Sequence, residues 1–136
     1  MPARRFAMLI AALGATACVP PDAPASDATP AEDFAVYCSA CHGADGKGDG
    51  GIAADLAKKP ADLTRLAARN GGAFPTTRVM AQIWGYAGAK GRGVMPDFSP
   101  MLGGDTVPYD GGDGIDTPTP ARLVGLAEYL KSIQVK

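Results

Sequence analysis

An all-α domain is expected of this chain. Apolar residues recur at helical spacing in several segments, no segment alternates as a half-buried strand would, and Gly- and Pro-rich stretches punctuate the rest. With 136 residues, 46% of them hydrophobic, there is material for one core once the N-terminal leader is set aside.

Residues 1–17 have the anatomy of a secretory signal peptide. Arg4 and Arg5 precede an apolar run over 6–13, and small residues close it at Ala15-Thr16-Ala17-Cys18. The run is far shorter than the ~20 residues that cross a bilayer, and no later segment is long and apolar enough to do so. Cleavage before Cys18 suits an ordinary small-x-small site and also a bacterial lipobox, with Ala15 where leucine is typical. In the lipobox reading Cys18 is acylated, and residues 18–30, rich in Pro, Ala and Asp, form a flexible tether that cannot bury a core. Alternatively, Cys18 leaves with a leader cut further on, for instance after Ala25. From Cys18 onward 11 basic residues stand against 14 acidic ones, net −3, which argues against a nucleic-acid partner.

The domain proper occupies 31–136. Residues 31–41 are expected to form a helix, apolar at Phe34, Tyr37 and Cys38, with Glu32 and Asp33 at the positive end of its dipole. Residues 43–51 alternate glycine with Asp and Lys and read as a loop. Asp62 is placed to cap a short helix with Leu63 and Leu66 facing inward. Thr76 or Thr77 caps the next, where Val79, Ile83 and Tyr86 fall at helical spacing and Gly85 and Gly88 mark the end. Residues 88–100 should run as an extended loop containing Met95. Residues 103–118, dominated by Gly and Asp, read as a surface insertion. Thr119 and Pro120 then start a last helix with one apolar stripe of Leu123, Leu126, Leu130 and Ile133.

The most specific feature is Cys38-Ser39-Ala40-Cys41-His42. On a helical turn, residues three and four apart share a face. The two thiols can therefore add to the vinyl groups of one haem while the imidazole binds its iron. A structural zinc site would need two further ligands, yet His42 is the only histidine. A dithiol oxidoreductase is expected among βαβ units, and a plain disulfide leaves His42 unexplained. The second axial ligand must come from elsewhere, and methionine is the candidate type. Met80 is explained as a core residue, Met101 flanks the insertion, and Met95 lies in a loop beside Pro96, so Met95 is favoured over Met101.

With these features the chain resembles a class I cytochrome c, in particular a small bacterial monohaem member. The likeness covers about 31–133 and includes Phe34, one helical turn before Cys38, and Glu128-Tyr129-Leu130-Lys131. It implies three to five helices around one covalently bound haem c, with aromatic residues packed where the first and last helices cross. The Met95-Pro96 pair looks like the family's distal ligand loop. The resemblance also implies Pro60 as the residue whose carbonyl accepts a hydrogen bond from the other nitrogen of His42. It implies Trp84 as a donor to a haem propionate, with a packed aromatic as the equal alternative.

The function expected on these grounds is one-electron transfer rather than catalysis. The carrier would be exported to the periplasm, exchange electrons with redox protein partners, and be held at the membrane by lipid on Cys18. The alternatives are a haem-based sensor or gas-binding module with an open distal site, and an electron-transfer subunit of a larger dehydrogenase or oxidase. Lys90 and Arg92, beside Met95, fit either a docking rim or solvated loop charge.

Overall fold

The computed structural model describes residues 28–88 and 93–135. Helix α1 (Pro30–Tyr37) starts at a capping box, in which the Glu32 amide donates to Thr29 Oγ1 at 3.3 Å and the Thr29 amide donates to the Glu32 carboxylate at 2.7 Å. Pro30 takes the first helical position, where a missing N–H costs nothing. A distortion at Cys38 (φ −116°) separates α1 from the single turn α2 (Ser39–His42), so the helix expected over 31–41 comes in two pieces. Gly43, at φ 79°, ends it.

Single 3-10 turns follow at Ala53–Asp55, Leu63–Arg65 and Ala68–Asn70. Asp62 caps the second of these, accepting from the Thr64 amide at 2.9 Å and the Thr64 hydroxyl at 2.6 Å. Helix α3 (Thr76–Ile83) buries Val79, Met80 and Ile83, as their spacing predicts. Tyr86 departs from expectation: the helix stops before it, and its ring is 79% exposed. Neither Thr76 nor Thr77 caps α3, because the chain turns at Pro75 and Thr76 is already helical. A short helix α4 (Ser99–Leu102) interrupts the expected extended loop and buries Leu102.

Helix α5 (Ala121–Ser132) packs across α1 and α3 and carries the centre of the core: Leu123, Leu126, Ala127 and Leu130 are all buried, and Ile133 follows half-buried. Phe34 of α1 meets Tyr129 with ring centroids 5.3 Å apart and an inclination of 45°. Burying side chains such as Phe34 and Leu126 contributes about 1.5–3 kcal/mol each. Pro120, not Thr119, stands at the N-cap of α5, and the Thr119 hydroxyl donates instead to the Thr117 carbonyl at 2.9 Å.

The all-α expectation is corrected by residues 106–120. There β1 (Thr106–Asp110) and β2 (Asp116–Pro120) form an antiparallel hairpin, with Thr106 opposite Pro120 and Asp110 opposite Asp116. The fold is therefore mixed, short helices plus a two-stranded sheet, and not the all-helical architecture that the resemblance implies. The segment read as an insertion over 103–118 is mostly this hairpin. Its register explains how a proline-rich segment can pair. Pro108 lies opposite Pro118, and neither has an N–H, so theirs is a non-hydrogen-bonded pair of the ladder. By alternation Val107–Thr119 and Tyr109–Thr117 carry the bonds, and Pro120 again falls where no ladder donor is required. Asp110 Oδ1 closes the connecting loop by accepting from the amides of Gly112, Asp113 and Gly114 at 2.7, 2.9 and 2.9 Å. Tyr109 and Thr77 fasten the hairpin to the helices: the Tyr109 hydroxyl donates to Glu128 at 2.6 Å and the Thr77 hydroxyl to the Gly111 carbonyl at 3.1 Å.

Candidate functional site

Cys38, Cys41 and His42 share one face because a single helical turn carries them. The amides of Cys41 and His42 both donate to the Cys38 carbonyl, at 3.2 and 2.9 Å. All three residues are half-buried and both thiols are free. Burial foremost, with Asp33 and Cys41 adding to it, pushes the Cys38 thiol up to about 12. A nucleophilic or zinc-binding cysteine is shifted the other way.

His42 is oriented from behind by the backbone. Its Nδ1 lies 2.9 Å from the Ala61 carbonyl oxygen, which can only accept, so Nδ1 carries a proton and Nε2 is the nitrogen that can offer a lone pair in the neutral ring. The resemblance implies Pro60 as this acceptor; the structure assigns the bond to Ala61, one residue later. The Pro60 carbonyl faces the glycine loop instead, abutting Gly48 (φ 77°) so closely that a Cβ there would collide with it. The loop itself is pinned to the motif, Gly48 donating to the His42 carbonyl at 2.7 Å and Gly50 to the Cys41 carbonyl at 3.1 Å. Leu63 donates to the Gly46 carbonyl at 2.6 Å, and Gln134 donates to the Leu63 carbonyl at 2.7 Å. The acceptor of His42 is thus held between the loop and the chain that follows α5.

Met95 lies half-buried against the core, its sulfur 3.8 Å from Gln82 Nε2, which donates to it. Phe98, three residues on, packs its ring 6.3 Å from that of Tyr37, and its amide donates to the Ile83 carbonyl at 3.2 Å. The segment bearing Met95 therefore runs beside the residue that precedes Cys38. Met80 is a core residue, as its spacing predicts, and the carbonyl of half-buried Met101 is taken up by Arg122. Leu63, Leu66, Phe74 and Phe98 offer half-buried apolar surface packed on the core.

Trp84 also packs on the core, and it lines a cavity of about 440 Å³ between α3 and the hairpin. Cys38, Cys41, His42 and Met95 do not line that cavity. A second cavity, also of about 440 Å³, lies beside the glycine loop between Gly48 and Lys59, and they do not line it either. Cys18, Lys90, Arg92, the leader over 1–17 and the tether up to residue 27 lie outside the described residues.

Asp33 and Arg122 form a pairing that nothing local in the sequence announces. Asp33 is 2% exposed, and its carboxylate is gripped by Arg122 through Nε at 3.0 Å and through Nη2. Hydrogen bonding to Asp33, and then to Tyr37, raises the pKa of the guanidinium further. These partners are 89 residues apart, and in sequence Asp33 reads only as a dipole partner for α1.

Among the described residues no three or more His, Cys, Asp or Glu side chains gather to hold a metal ion, and no helix is long and apolar enough to cross a membrane. The donor set present is of a different kind, with two thiols and one imidazole nitrogen on a shared face and a thioether on a neighbouring segment. It has the chemistry a covalently attached haem requires. Comparison with protein-family models, with curated proteins and with solved structures finds no match to this chain.

Proposed function

We propose that this chain is an exported c-type haem protein that carries single electrons, with one haem attached through Cys38 and Cys41 and its iron held by His42 and Met95. The observation that carries the reading is the hydrogen bond from His42 Nδ1 to the Ala61 carbonyl, which fixes the tautomer and leaves Nε2 as a ready ligand on the face shared with both thiols. The raised pKa of Cys38 argues against that thiol as the nucleophile of a dithiol oxidoreductase.

When bound, a haem supplies an iron centre that gains and loses one electron. His42 is kept in one orientation by Ala61, so its geometry need not change between oxidation states. The Met95 thioether favours the reduced state. Leu63, Leu66, Phe74 and Phe98 offer half-buried apolar surface on the core against which an apolar macrocycle would pack. With His42 and Met95 both holding the iron, no position on it would be left for a substrate, and exchange of electrons with redox protein partners would be the remaining role. The leader sends the chain to the periplasm, and acylated Cys18, with the several chains of a lipoprotein, anchors it at the membrane.

The mature protein purified from its host tests this. Its mass should report one haem, the cleavage point and the acyl chains together. The oxidised protein should show a near-infrared sulfur-to-iron charge-transfer band that Met95→Ala abolishes. A mature protein without haem refutes the proposal. A haem protein that lacks the band and binds carbon monoxide when reduced is instead the sensor or gas-binding module.

A further inference from the structure

We infer that Arg122 is a positioning residue, holding the segment that bears Met95 against the helix that leads into Cys38 and His42. The inference rests on the haem reading above.

Among the described residues Asp33 is the one buried charged side chain, and a carboxylate in that position requires a full set of partners. Arg122 supplies them as a fork, Nε and Nη2 reaching the two oxygens of Asp33. The third arm does something the ion pair does not need: Nη1 donates to the Met101 carbonyl at 2.6 Å, at the end of the short helix α4. The guanidinium also lies 5.8 Å from the centre of the Tyr37 ring, and Tyr37 packs on Phe98. One side chain on α5 thus touches α1 at two successive turns, directly contacts the far end of the 98–101 turn and, through Tyr37, reaches its near end.

Met95 is three residues before Phe98, a reach of about 10 Å at full extension. That stretch is stiff, since Pro96 has a fixed φ and Asp97 Oδ1 accepts from the Ser99 amide at 2.8 Å. A shift of the 98–101 turn relative to α1 is therefore passed on to Met95 and away from His42. Lysine would keep the charge but has no planar fork with which to serve Asp33 and Met101 together.

The test uses the full-length haem-loaded protein and variants Arg122→Gln, Arg122→Lys and Asp33→Asn. Thr29→Ala is the control, since it removes the cap of α1 without touching Arg122 or the Met95 segment. Imidazole is titrated into the oxidised protein, and the loss of the near-infrared band measures how readily Met95 gives way. Arg122→Gln should raise imidazole affinity about tenfold at unchanged haem content, the effect of losing one hydrogen bond to a charged group. Arg122→Lys should fall between it and the wild type, and Thr29→Ala should match the wild type. Arg122→Gln and Thr29→Ala behaving alike would overturn the inference. If Arg122→Gln does not accumulate, Arg122→Lys and Asp33→Asn are set against Thr29→Ala in its place, and their matching that control overturns the inference equally. A wild type without haem removes the functional reading and this inference together. A wild type that shows the band, with variants that bind imidazole no better, removes only this one.

Discussion

Replacing Gly48 by alanine sets two separable costs against each other, and Gly72 provides the reference. Both glycines have left-handed backbones, at φ 77° and φ 94°, a conformation that costs an alanine about 1–2 kcal/mol. At Gly72 the added methyl would meet open space, so that cost stands alone. At Gly48 it would enter the space of the Pro60 carbonyl, and relieving such an overlap adds about 1–3 kcal/mol. The Gly48→Ala protein should therefore melt roughly 4–24 °C below Gly72→Ala, given about 4–8 °C per kcal/mol for a domain of this size. Thermal unfolding followed by far-ultraviolet circular dichroism reads the gap. Because relief of the overlap moves the 60–61 segment, Gly48→Ala should also loosen the bond from His42 to Ala61 and, in a protein carrying the proposed haem, shift its oxidised spectrum, whereas Gly72→Ala should not. Equal melting temperatures, or in the haem-loaded protein an unshifted Gly48→Ala spectrum, would refute the claim that the 60–61 segment is seated on this glycine.

Two further outcomes follow from the fold alone. Leu126 is 0% exposed at the centre of α5, and Leu126→Ala should cost about 2–5 kcal/mol in urea unfolding, mostly as a cavity that α1 and α3 cannot close. Tyr109, its phenol raised to about 12 by burial first and by Glu128 second, should give a phenolate phase near pH 12 when absorbance is followed with pH. Since the folded value lies above the ordinary value of about 10, its contribution to stability is complete below that pH and disappears as pH rises through about 12. Tyr109→Phe should remove that phase, and a Tyr109 that ionises near its ordinary value of about 10 would contradict the bond to Glu128.

Local chemistry makes part of this molecule legible in its sequence, and long-range chemistry hides the rest. The buried positions of α3 and α5 are readable because Val79, Ile83, Leu123, Leu126 and Leu130 repeat at helical spacing. The face shared by Cys38, Cys41 and His42 is readable for the same reason. The hairpin is not, since Pro108, Pro118 and Pro120 argue against a strand until the register shows that the ladder asks none of them for an N–H. Ala61 receives the His42 bond while the Pro60 carbonyl faces Gly48, an arrangement of the backbone that spacing does not encode. Arg122 and Asp33 meet across 89 residues of chain, and neither carries a local sign of the other.

The same prolines have a consequence for life in a crowded compartment. A two-stranded ribbon has two open edges, and an open edge invites a neighbouring strand to continue the sheet. Residues of the non-hydrogen-bonded pairs point their amides outward along those edges, and at 108, 118 and 120 there is no amide to offer. Asp110 and Asp116 add negative charge where the strands meet the loop. A second copy that approached would find a ladder with rungs missing on both sides, so the ribbon can remain exposed without nucleating aggregates.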